Sequence, residues 1–134
     1  MTSFPLKIVT PDGMEFEGQV EELIVRTTTG DLGILAGHIN CVAPLGMGMA
    51  TVIIDGKKRY GACIGGLLSV SGGVATLVPT TFEWAEDIDL DRVLTSMERA
   101  NTVLKNKNAS NTEFKLAEAR LHRALVRKSV VSYK

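Results

Sequence analysis

Residues 80–134 of this 134-residue chain contain neither glycine nor proline: all thirteen Gly lie at or before Gly73 and all four Pro at or before Pro79. That absence excludes a turn-rich architecture in the tail and leaves it free to form long helices. Cysteine is scarce. Cys41 and Cys63 are far apart in apolar surroundings, which excludes a disulfide framework and reads as packed, reduced thiols of a reducing compartment. Charge of one sign is not in excess, since fifteen Lys+Arg face fifteen Asp+Glu, so the whole molecule lacks the positive field that nucleic-acid binding needs. Met1 to Lys7 shows no basic n-region with an apolar core and no Arg-rich presequence, which predicts a chain that stays where it is made. Residues 32–54 and 60–82 hold no charged side chain and are long enough to cross a bilayer, but their glycines and prolines suit strands and turns instead.

What is present divides near residue 85. Residues 1–85 carry five basic and eight acidic side chains and residues 86–134 carry ten and seven, so neutrality hides an acidic front and a basic tail. The expected domains are 1–85 and 86–134. In the front, Pro11-Asp12-Gly13 is a turn with a return strand from Met14, and Val20 to Arg26 reads as one strand closed by Thr29 to Gly33. Met49–Ile54 and Lys57–Ile64 flank Asp55-Gly56, and Leu67–Val70 and Val74–Val78 flank Ser71-Gly72-Gly73, giving two hairpins. No helical pattern separates these strands, which predicts a β-sandwich or barrel. In the tail, Asp87 or Asp89 caps a helix with an apolar stripe of Leu90, Val93, Leu94, Met97, Ala100 and Leu104. Ser110 with Glu113 forms a capping box for a second helix, whose stripe is Phe114, Ala117, Leu121, Ala124 and Leu125. The expected fold is α+β: an N-terminal antiparallel β-sandwich followed by an antiparallel α-helical hairpin, the hairpin marginal enough to open for a competing surface or ligand.

No nucleophile elbow, zinc-protease helix, C-x-x-C or Walker loop is present, so an enzyme acting alone is disfavoured. Glu21 and Glu22, on one strand, would point to opposite faces and do no joint acid/base work. A metal site of His38, Cys41 and Cys63 would need the fold to bring distant ligands together. Three features carry more. Arg92 and Arg99 share a helix face, with Asp89 one turn before Arg92; Arg120, Arg123 and Arg127 form a basic stripe beside the second seam, with Lys128 adjacent. Guanidinium forks suit phosphate or carboxylate, although a solvated helix face is the plainer reading. Gly30 to His38 reads as a loop at a sandwich end exposing Asp31 and His38, either a compact turn or a contact loop.

The runs Val9-Thr10-Pro11-Asp12-Gly13, Gly30-Asp31-Leu32-Gly33-Ile34-Leu35-Ala36-Gly37-His38, Ala43-Pro44-Leu45, Gly65-Gly66-Leu67-Leu68-Ser69-Val70 and Ala85-Glu86-Asp87-Ile88-Asp89 follow one another in order along nearly the whole chain. In this combination the chain resembles the ε subunit family of bacterial F-type ATP synthases, departing at Ala36, where the family usually has Pro. The resemblance implies a sandwich of about ten strands plus a helical hairpin. It implies a non-catalytic rotor subunit on the central stalk that binds the γ subunit and the ring of c subunits and couples proton flow to ATP synthesis. Asp31 and His38, with Met47 and Met49 nearby, would face the c-ring. The tail would extend into the catalytic head and block hydrolysis, Arg123, Arg127 and Lys128 meeting acidic residues of the α and β subunits. The host would be the cytoplasmic face of a bacterial plasma membrane, reached only through the complex.

Some members of that family bind ATP between the tail helices through an [IL]-D-x-x-R-A motif. Ile88-Asp89-Leu90-Asp91-Arg92 matches it, with Val93 in place of Ala. The resemblance therefore implies ATP as a regulatory ligand, no cofactor being required, held by Glu83, Asp89, Arg92, Arg99, Arg123 and Arg127, the arginines on phosphate and the carboxylates positioning adenine and arginines. The alternative reading is a free-standing nucleotide-sensing adaptor using the same hairpin as a switch. An RNA-binding sandwich is disfavoured by the acidic front and the lack of an aromatic-basic strand pattern.

Overall fold

The computed structural model describes residues 2–133; Met1 and Lys134, the outermost residues of the two expected domains, lie outside the described residues. The chain divides into two compact units, with the break between Trp84 and Ala85. The first holds ten strands: β1 Phe4–Thr10, β2 Gly13–Val20, β3 Glu22–Thr27, β4 Gly30–Leu35, β5 Cys41–Pro44, β6 Met47–Ile54, β7 Lys57–Ile64, β8 Leu67–Ser71, β9 Val74–Val78 and β10 Thr81–Trp84. They form two five-stranded sheets, ordered β2-β1-β9-β8-β5 and β10-β7-β6-β3-β4.

Alternation builds the core. In β1, Phe4, Leu6, Ile8 and Thr10 point inward while Pro5, Lys7 and Val9 point out, as the period of two requires. Leu6, Ile8, Leu68, Ala75 and Leu77 from the first sheet join Leu23, Val25, Ile34, Ala50 and Val52 from the second in one buried cluster. An aromatic clasp spans the sheets: Trp84 stands edge-on to Phe82 at 4.8 Å and to Phe16 of β2 at 6.1 Å, and Arg59 covers its ring at 3.7 Å. The Asp55-Gly56 hairpin forms as expected, with φ of 51° and 76° at the two turn residues, the primed turn that matches strand twist.

The sheets are antiparallel as expected except for one ladder, in which β1 runs parallel to β9. Two expectations change. Val20 to Arg26 is not one strand: β2 ends at Val20, the chain bends at Glu21, and β3 starts at Glu22, so the two glutamates do not share a strand. The Glu21 carboxylate is taken up structurally, accepting the Gly56 N–H at 2.6 Å. Gly30 to His38 is not a loop. Gly30–Leu35 pairs residue for residue with β3 as an edge strand, because Leu32 and Ile34 alternate onto the core side, and only the Ala36-Gly37 turn and His38 lie beyond it.

The second unit opens with a short 3₁₀ turn, Ala85–Asp87, followed by α1 Leu90–Lys105 and α2 Asn111–Val131. Asp89, not Asp87, caps α1, its carboxylate accepting the Arg92 N–H at 3.3 Å; Ser110 caps α2, its hydroxyl accepting the Glu113 N–H at 3.1 Å. The seam is narrower than the two stripes suggest. Val93 and Ala100 on α1, and Ala117 and Ala124 on α2, are buried, each pair seven residues apart, with Val130 buried near the end of α2. Leu90, Leu94, Phe114 and Leu125 stay between 41% and 45% exposed. Small residues at the contact line let the helices approach closely, which leaves the larger side chains on the flanks.

Two predictions follow from the sandwich. Gly66 has φ of +100°, and a Cβ there would lie 2.0 Å from the Val78 carbonyl oxygen, whereas Gly72, also at positive φ, has nothing within 4 Å. Gly72→Ala costs about 1 kcal/mol for the left-handed backbone alone. Gly66→Ala costs at least about 2 kcal/mol more, because backbone must move, and urea unfolding of the two variants measures the difference. Cys63 is buried, and burial pushes its thiol from 9.0 up to about 12. The fold holds the neutral form, so this contribution is fully present below pH 9 and is lost as pH rises towards the folded value. Cys63→Ala therefore flattens the alkaline decline in stability, and a thiol reagent titrates half-buried Cys41 but not Cys63 until denaturant is added.

Candidate functional site

Three places gather the residues that the sequence marks. The first is on the helical hairpin, where capping by Asp89 starts α1 so that Val93 and Ala100 take the seam. Arg92 and Arg99, each one position before a seam residue, then fall on one flank. On α2, Arg120 follows Ala117 by three and lies on the facing flank. These three arginines, with Asp91, Thr95 and Ser96, line an open groove of about 620 Å³. Among the described residues no hydrogen bond or ion pair engages the side chains of Arg92, Arg99 or Arg120. Three guanidinium groups against one carboxylate make the groove cationic, and the arrangement suits an anion with several oxygens.

The groove brings together only part of the expected ATP set. Arg92 and Arg99 line it. Asp89 is occupied at the helix cap, Arg123 and Arg127 are half-buried elsewhere on α2, and Glu83 belongs to the other unit, on β10. Asp91, Thr95 and Ser96 were not singled out by sequence, and Arg120 only as part of a basic stripe. The readable signal was its place three residues after Ala117, the same flank of α2 that Arg127 takes after Ala124. Exposed Lys128 lies near the end of α2.

The second place is one end of the sheet that contains β3, β4 and β6. Asp31, second in β4, forms an ion pair with Arg26 at 2.9 Å, cross-strand partners in register. The Arg26 side chain fills the space that a side chain at Gly48 would need, which puts Arg26 and Asp31 beside the start of β6, where Met47 and Met49 are half-buried. His38 is not brought to this end. It follows the far end of β4, is half-buried rather than exposed, and its Nδ1 lies 2.8 Å from the Ile39 carbonyl oxygen and 4.0 Å from Cys41 Sγ. Cys41 and Cys63 belong to different sheets, and no metal-ligating group of three forms among the described residues.

The third place was not foreseen. On the outer face of the first sheet, strand pairing aligns Met14 with Val9, Val78 with Leu67, and Leu67 with Pro44, while Val9 and Val78 stand one residue beyond the Ile8↔Leu77 pair. One apolar residue from each of the five strands thus forms a continuous row. Met14 and Leu67 are 53% and 50% exposed. The adjacent row, Glu17, Lys7, Thr76, Ser69 and Val42, is mainly polar. An exposed apolar band with a polar border marks a protein contact surface.

Comparison with known proteins agrees with this architecture. The family model described as the β-sandwich domain of the ATP synthase delta/epsilon chain matches residues 3–85, and the model of that chain's long α-helix domain matches residues 86–132. An ATP synthase epsilon chain of Bacillus velezensis is 40% identical over 130 residues, covering 97% of this chain and 98% of the relative. The epsilon chain of Caldicellulosiruptor bescii is 39% identical, covering 95% and 92%, and that of Ruminococcus albus is 39% identical over the full length of both. A chain in the cryo-EM structure of the Euglena gracilis mitochondrial ATP synthase, with OSCP, F1 and c-ring, superposes with a TM-score of 0.84 at 23% identity, covering 96% of this chain and 81% of that one, a likeness of fold.

Proposed function

The chain belongs to the ATP synthase delta/epsilon chain family, and from that premise we propose that it is a non-catalytic central-stalk subunit whose sandwich joins the rotor and whose helical hairpin regulates hydrolysis. The observation that carries the reading is the apolar row Met14, Val9, Val78, Leu67 and Pro44, which crosses all five strands of one sheet in register. A rigid strand surface presents these side chains at fixed spacing, so a partner can bury them without ordering a loop. The γ subunit is the partner assigned to it. Asp31, with Met47 and Met49 at the start of β6, is assigned to the c-ring; His38, beyond the other end of β4, is not part of that contact. As a stalk component, the chain would transmit torque between ion flow and ATP synthesis at the cytoplasmic face of a bacterial plasma membrane. No helix among the described residues is long and apolar enough to cross a membrane, so attachment would come through the complex.

The hairpin supplies the regulatory part. Its two helices fully bury only Val93, Ala100, Ala117, Ala124 and Val130, all small or β-branched side chains, so the hairpin has little apolar burial of its own. A competing surface that buries the flanking Leu90, Leu94, Phe114 and Leu125 offsets its loss, so compact and extended forms lie close in free energy. In the extended form the basic residues Arg123, Arg127 and Lys128 would meet acidic residues of the catalytic head. In the compact form the cationic groove accepts ATP, which shifts the population away from the inhibitory form.

Two measurements test the reading. Leu67→Glu places a charge in the centre of the apolar row at an exposed position, and it weakens binding to purified γ by about tenfold or more, while Lys58→Glu on the distant β6–β7 hairpin does not. Equal binding by both variants rejects the assigned surface. Removal of residues 88–134 leaves a cooperatively melting sandwich, because the buried sandwich cluster runs from Phe4 to Trp84, and it raises the ATPase rate of the reconstituted synthase. An unchanged rate rejects the inhibitory role of the hairpin.

A further inference from the structure

The bulkiest apolar burial in the helical unit lies outside the seam. Among the described residues after Trp84, the two largest side chains fully withdrawn from solvent are Ile88, 2% exposed, and Val130, 0% exposed. Neither belongs to the Val93–Ala100 or the Ala117–Ala124 line. Helix length explains how they come to the same end of the hairpin. α1 has 16 residues and α2 has 21, so in an antiparallel pair α2 runs on past the residue at which α1 begins. Two turns before Val93 is Glu86 and two turns after Ala124 is Val131, which sets the last turn of α2 beside the 3₁₀ turn Ala85–Asp87 instead of beside α1. That turn packs on α2, and its Ala85 is buried too. Both sides of this contact are held by hydrogen bonds. The Ile88 N–H donates to the Ala85 carbonyl at 3.3 Å, and Asp89, the next residue, caps α1. On α2 the Ser132 hydroxyl donates to the Ser129 carbonyl at 2.6 Å and the Tyr133 N–H to the Val130 carbonyl at 3.0 Å, closing the final turn around Val130. Helix ends ordinarily fray, whereas this one buries a β-branched side chain completely.

We propose that the last turn of α2 is a latch: Val130 seats against Ala85 and Ile88, and the hairpin opens from this end once that seat is lost. The inference rests on the regulatory reading of the hairpin and adds where its equilibrium is set. Separating the seam exposes three alanines and one valine, whereas unseating the latch exposes Ile88 and Val130 together, so a large share of the apolar burial that keeps the hairpin shut sits at one end. The other end of α2 is tied to α1 through residues 106–110, where the Asn106 side chain accepts the Asn108 N–H and Ser110 caps the helix. α2 therefore peels from Val130 towards Ala117. The latch is apolar and stands clear of the arginines on the hairpin flank, so it holds the compact form whether or not an anion is present.

Hydrogen exchange of the full chain, read by mass spectrometry under conditions where the rate reports the opening equilibrium, tests it. Val130→Ala is expected to speed exchange through residues 117–131 by about tenfold, and Ile88→Ala to do the same from the other side of the contact. The double variant exceeds the faster single variant by less than about threefold, because one contact is lost only once. Leu116→Ala, on α2 at a position 53% exposed, changes the rate by less than about twofold. Acceleration confined to residues 128–133 overturns the latch, since it shows fraying of one turn and no more. So does an unchanged rate in Val130→Ala, an equal acceleration by Leu116→Ala, or multiplication of the two single effects in the double variant. In the reconstituted synthase, Val130→Ala is expected to lower the ATPase rate by about twofold or more, because it populates the extended form. Faster exchange through residues 117–131 with an unchanged ATPase rate upholds the latch and rejects the regulatory reading.

Discussion

The sandwich depends on a short parallel contact between its first strand and its ninth. Leu6, Lys7 and Ile8 pair with Ala75, Thr76 and Leu77, and that ladder alone ties the β1–β2 hairpin to the β9–β8–β5 group. It sets two rows at once. Inward, Leu6 and Ile8 sit beside Ala75 and Leu77 in the core; outward, Val9 and Val78 connect Met14 to Leu67 and Pro44. Because side chains alternate, a slip of one residue would move Lys7 inward and break the outer band together. Stability and contact surface are therefore specified by one register. Just beyond that ladder, at the end of β9, the missing side chain of Gly66 lets its backbone pass Val78 and Pro79.

The hairpin works on the opposite principle. Where the sandwich buries Leu, Ile and Val from ten strands, α1 and α2 meet over Val93, Ala100, Ala117 and Ala124. Close approach is what places Arg120 across from Arg92 and Arg99; bulkier seam residues would widen the groove beyond the span of a phosphate chain. Val93, the larger of the two buried residues of α1, sits directly after Arg92, so its size and the position of the first fork are linked. The caps fix where each helix begins, and hence which residues meet, Asp89 Oδ1 accepting the Arg92 N–H.

Much of this was legible in the sequence for local reasons. Asp55-Gly56 and Gly72-Gly73 announce their hairpins because primed turns demand positive φ, and both helices were readable from Asp89, Ser110 and the loss of glycine and proline. The β1–β9 ladder was not legible, since it joins residues nearly seventy apart and local patterning carries no pairing information. Gly30 to Leu35 was misread for a physical reason: three glycines within eight residues look like a loop, yet only Gly30 and Gly37 have positive φ, and Gly33 sits in an edge strand. The cationic groove was half legible. Spacing put Arg92 with Arg99, but which α2 arginine faces them depends on which α2 residues reach the seam; within the wide stripe from Phe114 to Leu125 only Ala117 and Ala124 are fully buried, which the stripe alone does not tell.

The neutral total charge conceals the feature on which the proposed regulation rests. Ten basic side chains fall after residue 85, and among the described residues no ion pair engages the three arginines around the groove, which face one carboxylate, Asp91. A protein that gained nothing from these charges would pair them along the helices, because i,i+4 partners are easily supplied. Leaving them unpaired favours any state in which an external anion supplies the missing charge. Two kinds of anion fit the proposed cycle: a phosphate chain in the groove of the closed hairpin, and acidic protein side chains along the open one. Closing the groove requires the Ala117–Ala124 seam to be formed, and opening the hairpin breaks it, so the two anions cannot be bound by the same geometry. Competition between them needs no communicating pathway, only a seam weak enough that a few kcal/mol of anion binding decides its state.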